Sequence, residues 1–337
     1  MRRAPIPRGG TALFLAAAVV IALLPRFMSN YHAFQGAFVA IYFIALLGLN
    51  VLTGYSGQIS LGHSAFMGIG AYTTAILTIH HGVNDLLTIP IAGLVAGVVG
   101  YLFGLPALRL SGVYLALATF ALPVALSSLE KHFRSFTGGG TGLILHLPKA
   151  ELGFNTTPNR WLYYLTWAIA GVLFVGAWLF VRGRTGRALR SLHTSEVGAA
   201  ASGVNVAAFK TLAFGFSAFY AGVAGSLFAI VIAFINPDSF TVTLSILLLT
   251  GVVVGGLGSL SGLIFGALFI EFLPLQAQNI SKQAPTVVYG LILIAVLLIL
   301  PLGAAGLLQA TFRLLRRLIY NRQGAGVALA NGAEEHS

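Results

Sequence analysis

Long apolar runs are the feature that most constrains this chain. Each is long enough to cross about 30 Å of hydrocarbon as a helix. Ten such runs fall at residues 11–25, 35–53, 60–79, 88–106, 112–129, 161–181, 211–235, 241–256, 261–276 and 285–303. Only 8% of the residues are charged, whereas about a quarter are charged in a soluble domain. The sequence therefore predicts an all-α integral membrane protein, a polytopic bundle of about ten transmembrane helices, with eight or nine as alternatives.

The distribution of positive charge predicts the orientation of the chain. With the N-terminus in the cytoplasm, 13 of the 19 Lys and Arg residues lie inside and 6 lie outside, and cytoplasmic loops are the ones that concentrate positive charge. We therefore expect both termini in the cytoplasm. The corresponding domains are an N-terminus over 1–10, a transmembrane domain over 11–305 and a C-terminal tail over 306–337. The transmembrane domain includes a cytoplasmic segment over 182–210 and an exported loop over 130–160.

Missing motifs disfavour several classes of function. The net charge of +11 would suggest a nucleic-acid partner in a soluble protein, but cytoplasmic Lys and Arg account for it in a membrane protein. No glycine is followed by lysine, so the chain holds no P-loop for ATP. There is no cysteine, and the histidines fit no metal-binding spacing. We therefore expect no catalytic residues, no metal, no cofactor on this chain and no nucleic-acid partner.

Acidic residues are scarce in the apolar runs, which bears on the source of energy. Apart from Glu271, all of them fall in loops or at the ends of spans. Ion-coupled transporters place charged groups at mid-membrane depth for the coupling ion. The sequence thus favours a transport pathway that takes its energy from another subunit. An ion-coupled carrier and a membrane-embedded enzyme stay as weaker alternatives.

The junction of the second and third runs is rich in glycine and small polar residues. Residues 52–72 read LTGYSGQISLGHSAFMGIGAY. In a membrane, irregular polar backbone is tolerated where it is buried in protein or lines a cavity, as in the broken helices of transporters. The alternative is a close-packed helix interface, which explains Gln58 and His63 less well than the glycines. We predict a substrate pathway lined by Gly54, Ser56, Gly57, Gln58, Ser60 and His63.

Several motifs in this region and beyond it resemble one known family. Residues 54–63 (GYSGQISLGH), followed by GIGAY at 68–72, resemble the signature of LivM-type permease subunits of ABC importers for branched-chain amino acids. The resemblance continues through GVYLALATFA, TGGGTG and GGLGSLSG at later positions, in the same order. It covers roughly residues 35–305. It implies the fold of an ABC importer permease.

The resemblance also implies a cytoplasmic coupling segment within 182–210. ABC importers have a stiff helix there, with a Glu-Ala-Ala-like core before a glycine, that docks on the ATPase. The residues that match this role are Arg187, Arg190, Glu196, Ala199 and Gly203. We expect Glu196 to begin a helix and Gly203 to mark the turn that ends it. The alternative for the arginines is that they set topology and meet anionic lipid headgroups.

The remaining expectations concern cargo and partners, and all are implied by the resemblance. The cargo would be Leu, Ile or Val, with urea, short amides or other amino acids as alternatives that the sequence leaves open. The partners would be a LivH-type permease subunit, two cytoplasmic ATPase subunits that hold ATP and Mg²⁺, and a solute-binding protein that docks outside. The location would be a bacterial inner membrane.

Overall fold

A computed structural model of the chain is almost entirely helical. It describes residues 21, 24–26, 29–110, 112–145, 157–280, 285–299, 303 and 306. The first predicted span therefore lies mostly outside the described residues, and the N-terminus over 1–10 and nearly all of the tail over 306–337 lie outside them as well. Because nine of the ten predicted runs fall within the described ranges, the helical prediction can be compared with the structure over most of its length.

Twelve helices are numbered here in chain order within the described ranges. They are α1 (Asn30–Asn50), α2 (His63–His81), α3 (Asp85–Ala107), α4 (Gly112–His132), α5 (Arg134–Thr137), α6 (Pro158–Arg182), α7 (Arg184–Thr194), α8 (Glu196–Ala201), α9 (Val206–Ile232), α10 (Val242–Gly255), α11 (Leu263–Ile280) and α12 (Pro285–Ile299). A π-helical turn, Val51–Tyr55, directly continues α1. Two 3₁₀ turns occupy Gly139–Thr141 and Pro237–Phe240.

The predicted runs and the observed helices agree in position. Each run from the second to the tenth corresponds to one of the long helices α1–α4, α6 and α9–α12. Within the described ranges, six segments are long and apolar enough to cross a membrane: Asn30–Tyr55, Asp85–Ala107, Gly112–His132, Pro158–Arg182, Val206–Ile232 and Pro237–Gly255. The structure thus confirms an all-α membrane protein with several spans. The count of ten spans and the cytoplasmic position of both termini stay predictions.

Helix α9 forms the centre of the fold because it packs against α3, α2 and α1. Its buried positions are dominated by small residues, which let neighbouring backbones approach closely, as is usual for helices in membranes. Gly70 of α2 lies directly against the backbone of Gly222, and Gly225 lies against the backbone of Met67. In contrast, α4 and α6 have largely exposed apolar faces. The core of the fold is therefore the α1–α2–α3–α9 cluster.

Contacts between loops divide the helix ends into two groups. We call the first the Tyr55 end: it comprises residues 51–62, 183–205 and 256–262, and Arg190 lies over the ring of Tyr55 there. We call the second the Gly142 end: it comprises residues 133–145 and 233–241. Its strands β1 (Leu143–Ile144) and β2 (Phe234–Ile235) pair antiparallel. These are the groups that alternating spans would place on opposite sides of a membrane.

Candidate functional site

The predicted break between the second and third spans is present in the structure. Helix α1 passes through the π-helical turn Val51–Tyr55 into an irregular segment over 56–62, and α2 begins at His63. π-Helical turns often occur at functional sites. The break has its own hydrogen bonds, because Ser56 Oγ donates to the carbonyl oxygen of Leu52 (2.6 Å) and Gln58 Nε2 donates to Ser56 Oγ (2.8 Å). It is therefore a built feature of the fold.

Asn50 fastens this break to the loop between α10 and α11. Its side-chain oxygen accepts a hydrogen bond from the Gly258 amide (2.9 Å), and its Nδ2 donates to the carbonyl oxygen of Ser259 (3.3 Å). Gly54 lies so close to Gly258 that a side chain there would strike the backbone. The motifs in the sequence indicated both glycine-rich segments but not Asn50, the residue that joins them. The one sign of its importance in the sequence was that Asn50 is a polar residue near the end of a long apolar run.

Polar side chains of α2 bond to the neighbouring core helices at three levels. His63 Nε2 lies 2.6 Å from Ser217 Oγ, and both residues are fully buried. Two further pairs, Ser64–Ser245 (2.7 Å) and Thr74–Ser226 (2.6 Å), join α2 to α10 and to α9. Hydrogen bonds between membrane helices of this kind contribute on the order of 0.6–2 kcal/mol each. They fix how α2 sits against the core.

The predicted pathway residues thus divide into two kinds. Ser56, Gln58, Ser60 and His63 are buried, and each makes a hydrogen bond within the chain: Ser60 Oγ accepts from the Gly62 amide (3.3 Å). Gly57 is exposed and has a φ of 74°. The structure brings all six predicted residues together in one segment. Their contact with a solute stays a prediction.

The predicted coupling segment forms two short helices at the same end of the molecule. Helix α7 packs one apolar face inward, with Leu189 and Leu192 buried. Arg190 is exposed but contacts the membrane domain: its Nη2 donates to the carbonyl oxygen of Val181 (3.1 Å), and its guanidinium carbon lies 5.4 Å from the centre of the Tyr55 ring. Arg187 is exposed. Both arginines are thus exposed, as their spacing on one helix face suggested, and Arg190 is distinguished by its contacts with Val181 and Tyr55.

Helix α8 begins and ends where the sequence predicted. Ser195 caps it by accepting from the Gly198 amide (3.1 Å), Glu196 is its first residue, and Gly203 follows its end with a φ of 81°. Ala199 is buried, so it packs α8 inward, whereas the neighbouring Val197 is 82% exposed. Apart from Ala199, all of α8 is exposed, and Val197, a residue that the sequence pattern did not single out, is the large apolar side chain on this surface.

An ion pair closes the coupling segment onto α9. Lys210 Nζ lies 2.6 Å from Glu196 Oε1, with the side chain of Lys210 only 9% exposed and that of Glu196 51% exposed. The sequence motif pointed to Glu196 alone and not to Lys210. The two residues belong to different helices, and the turn at Gly203 between them brings them together. Glu196 thus holds the segment in place as well as facing solvent.

Gly57 and His193 lie next to each other and form a second connection between the break and α7, beside that of Arg190 with Tyr55. A Cβ atom added to Gly57 would lie 3.3 Å from His193 Cγ, which is tight, and the φ of 74° is unfavourable for a residue with a side chain. The coupling segment and the glycine-rich break are therefore one continuous assembly. We therefore expect a movement of α7 to displace residues 55–58.

We expect Gly57→Val to lower the transport rate roughly tenfold, because the strain and the clash together cost about 1–2 kcal/mol. The amount of protein inserted in the membrane should not change, since Gly57 lies at the surface. Uptake normalised to the amount of inserted protein measures the effect.

Gly82→Val is the matched control for this substitution. Gly82 also has a positive φ, 61°, but no atom would lie within 4 Å of a Cβ added there. This variant carries the backbone strain without the contact to His193. Equal rates for the two variants would show that the contact between the break and α7 does not matter.

Comparison with known proteins identifies a family for this arrangement. Residues 33–301 match the family model described as branched-chain amino acid transport system, permease component. The chain is 35% identical over 285 residues to the high-affinity branched-chain amino acid transport system permease protein LivM of Escherichia coli K12, and equally to that of Salmonella typhimurium LT2. Each alignment covers 77% of this chain and 66% of the relative, slightly under two thirds of its length. No solved structure matches significantly.

Proposed function

The chain belongs to the family of branched-chain amino acid transport system permease components, and on this premise we propose that it is the membrane permease of an ABC importer for Leu, Ile or Val. The observation that carries the proposal is the contact of α7 with the helix break, through Arg190 on Tyr55 and His193 on Gly57. A permease that is driven by a separate ATPase subunit needs such a connection between its coupling segment and its pathway.

The proposed mechanism uses the coupling segment as a lever. Closure of the ATPases upon ATP binding moves α7 and α8 as a rigid body. Arg187, Glu196 and the exposed Val197 offer a surface to the ATPase, while Arg190 and Ala199 hold the segment on the membrane domain. The movement reaches residues 55–58 and changes access to a pathway lined by Gly54, Ser56, Gly57, Gln58, Ser60 and His63.

The proposed assembly contains further subunits that supply what this chain lacks. A LivH-type permease pairs with it, two cytoplasmic ATPases bind and hydrolyse ATP with Mg²⁺, and a solute-binding protein delivers cargo outside. In this arrangement the chain has no catalytic role and binds no cofactor. The Tyr55 end faces the cytoplasm and the Gly142 end faces outward, in a bacterial inner membrane. The N-terminus over 1–10 and the tail over 306–337 are both cytoplasmic, and the transmembrane domain spans 11–305.

Uptake by membrane vesicles that contain the chain with its proposed partners tests this function. We expect ATP-dependent accumulation of leucine that isoleucine and valine inhibit competitively, and loss of accumulation when either the ATPases or the binding protein are omitted. Uptake of urea or a short amide without leucine uptake would show that the cargo is not a branched-chain amino acid. If an ion gradient drives leucine uptake in the absence of the ATPases, the chain is a secondary carrier and the proposed mechanism is wrong.

A further inference from the structure

Glu130 lies inside the protein, although the sequence placed it at the start of an exported loop. Helix α4 continues through it to His132. The register of α4 against α2 explains its position: a Cβ atom on Gly68 would touch Leu126, and one turn further along both helices Glu130 comes level with Tyr72. The charges of Glu130 and of Asp238 both lie close enough to Tyr72 to act on its hydroxyl group.

The depth of this pair follows from the end of α2. His80 of α2 contacts the ring of Phe136, with ring centroids 6.3 Å apart, so His80 lies at the Gly142 end. Tyr72 is eight residues earlier, or about 12 Å deeper at 1.5 Å per residue. Glu130, level with Tyr72, therefore lies near the end of α4, directly beneath the segment over 133–142.

Neither side chain has a hydrogen-bond partner within the described part of the chain. Glu130 is 4% exposed and Tyr72 is 5% exposed. Both carboxyl oxygens of Glu130 and the hydroxyl oxygen of Tyr72 are buried and make no hydrogen bond there. A buried polar group without a hydrogen bond is costly, and an ionisable one inside a membrane domain persists where it has a function. Three buried oxygens without a hydrogen bond thus lie on the contacting helices α2 and α4.

The surrounding groups narrow the identity of a ligand. Lys131, the nearest base along the chain, pairs with Asp238 at 3.1 Å, with both side chains at least half exposed, so it acts on Glu130 through its charge and not through a hydrogen bond. A divalent metal requires more ligands, and the described residues contain no group of three or more His, Asp or Glu that could hold one. A singly charged cation with several hydrogen-bond donors fits the three acceptors better.

We propose that Glu130 and Tyr72 form a binding site for the primary ammonium group of the transported solute. This inference rests on the proposed function and deepens it. An ammonium group has three donors, and the two carboxylate oxygens and the Tyr72 oxygen supply three acceptors. The Thr137 hydroxyl, which donates to the Glu130 carbonyl oxygen (2.5 Å), fixes the segment over 133–142 above the site. Entry from the Gly142 end requires that segment to move.

Carbodiimide labelling tests the site directly. Dicyclohexylcarbodiimide reacts with protonated carboxyl groups in apolar surroundings, and mass spectrometry locates the label in the complex held in membrane vesicles. The probes are isoamylamine, which keeps the side chain and ammonium group of leucine, and 4-methylpentanoate, which keeps the side chain and the carboxylate. We expect isoamylamine to protect Glu130 and 4-methylpentanoate to leave its labelling unchanged.

Glu271 provides an internal reference in the same experiment. It lies in the apolar helix α11 and is partly buried, and the amine should not change its labelling. The inference is overturned if isoamylamine fails to protect Glu130, if the acid protects it equally, or if Glu130 stays unlabelled without ligand while Glu271 reacts.

A tyrosine variant keeps the test independent of Glu130 itself. Tyr72→Phe removes one acceptor, so the isoamylamine concentration for half-protection should rise roughly tenfold, the usual effect of one hydrogen bond to a charged group. Tyr31→Phe is the control, because Tyr31 is 60% exposed and should behave as wild type. An unchanged concentration for Tyr72→Phe would remove Tyr72 from the site.

Leucine uptake by the same vesicles separates this inference from the proposed function. If isoamylamine protects Glu130 but leucine is not taken up, the ammonium site is supported and the proposed cargo is wrong. If leucine is taken up but isoamylamine does not protect Glu130, the proposed function is supported and the ammonium site is wrong.

Discussion

Glu196→Lys is expected to reduce ATP-driven uptake at least thirtyfold while leaving the amount of membrane-inserted protein unchanged. The substitution removes the partner of Lys210, which is only 9% exposed, and sets a second positive charge beside it. The cost lies between that of breaking an exposed pair, under about 1 kcal/mol, and that of breaking a buried pair, about 3–5 kcal/mol. An intermediate value of about 2 kcal/mol corresponds to roughly thirtyfold. Uptake and co-purification of the ATPases are the measurements.

The reversed pair separates the two roles of Glu196. Lys210→Glu alone should impair uptake, whereas the double variant Glu196→Lys/Lys210→Glu should recover ATPase co-purification if the ion pair with α9 is what matters. If the double variant stays as inactive as Glu196→Lys, Glu196 acts by touching the ATPase. Normal uptake by Glu196→Lys itself would remove α8 from the coupling role altogether.

Gly70→Val is expected to prevent stable folding of the membrane domain. A Cβ atom at this position would overlap the backbone of Gly222, so α2 and α9 would have to separate. Overfilling a packed site costs about 1–3 kcal/mol, and separation would also break the Thr74–Ser226 and His63–Ser217 hydrogen bonds between the same helices. The fraction of detergent-extracted protein that elutes as a single species should fall severalfold, and the midpoint of thermal unfolding should drop.

Gly171→Val is the matched control in α6. Its position lies in a membrane-spanning helix, but no atom lies within 4 Å of an added Cβ. We expect its elution profile and thermal midpoint to equal those of wild type. Equal loss in the two variants would mean that valine in a membrane helix is harmful by itself, and that close packing at Gly70 is not the cause.

The sequence predicted the positions of the helices well because crossing a membrane leaves a strong local signal. Runs two to ten each correspond to a helix, and Glu196 and Gly203 stand at the two ends of α8 as expected. Small residues in 52–72 were open to two interpretations: close packing is confirmed for Gly70, and the substrate pathway stays a prediction. Gly70 is a packing contact with α9, whereas Gly57 sits at an exposed turn against His193.

Sequence analysis missed the residues whose bonding partners lie in a different helix or loop. Asn50 binds a loop more than two hundred residues away, and Lys210 reaches Glu196 only because the chain turns at Gly203. Glu130 was assigned to an exported loop because it follows the last apolar residues of its run. The burial of its side chain depends on the register of α4 against α2.

The sequence by itself determined the membrane character of the chain, the location of its helices and, through its motifs, its family. Those properties depend on hydrophobicity and spacing along the chain, which are local quantities. Only the tertiary structure decided which polar groups are satisfied and which are left unpaired, because a hydrogen bond or ion pair depends on distances between helices that no local pattern encodes. Glu196 with Lys210, Gly57 with His193 and the unpaired Glu130 and Tyr72 are such cases within the described residues.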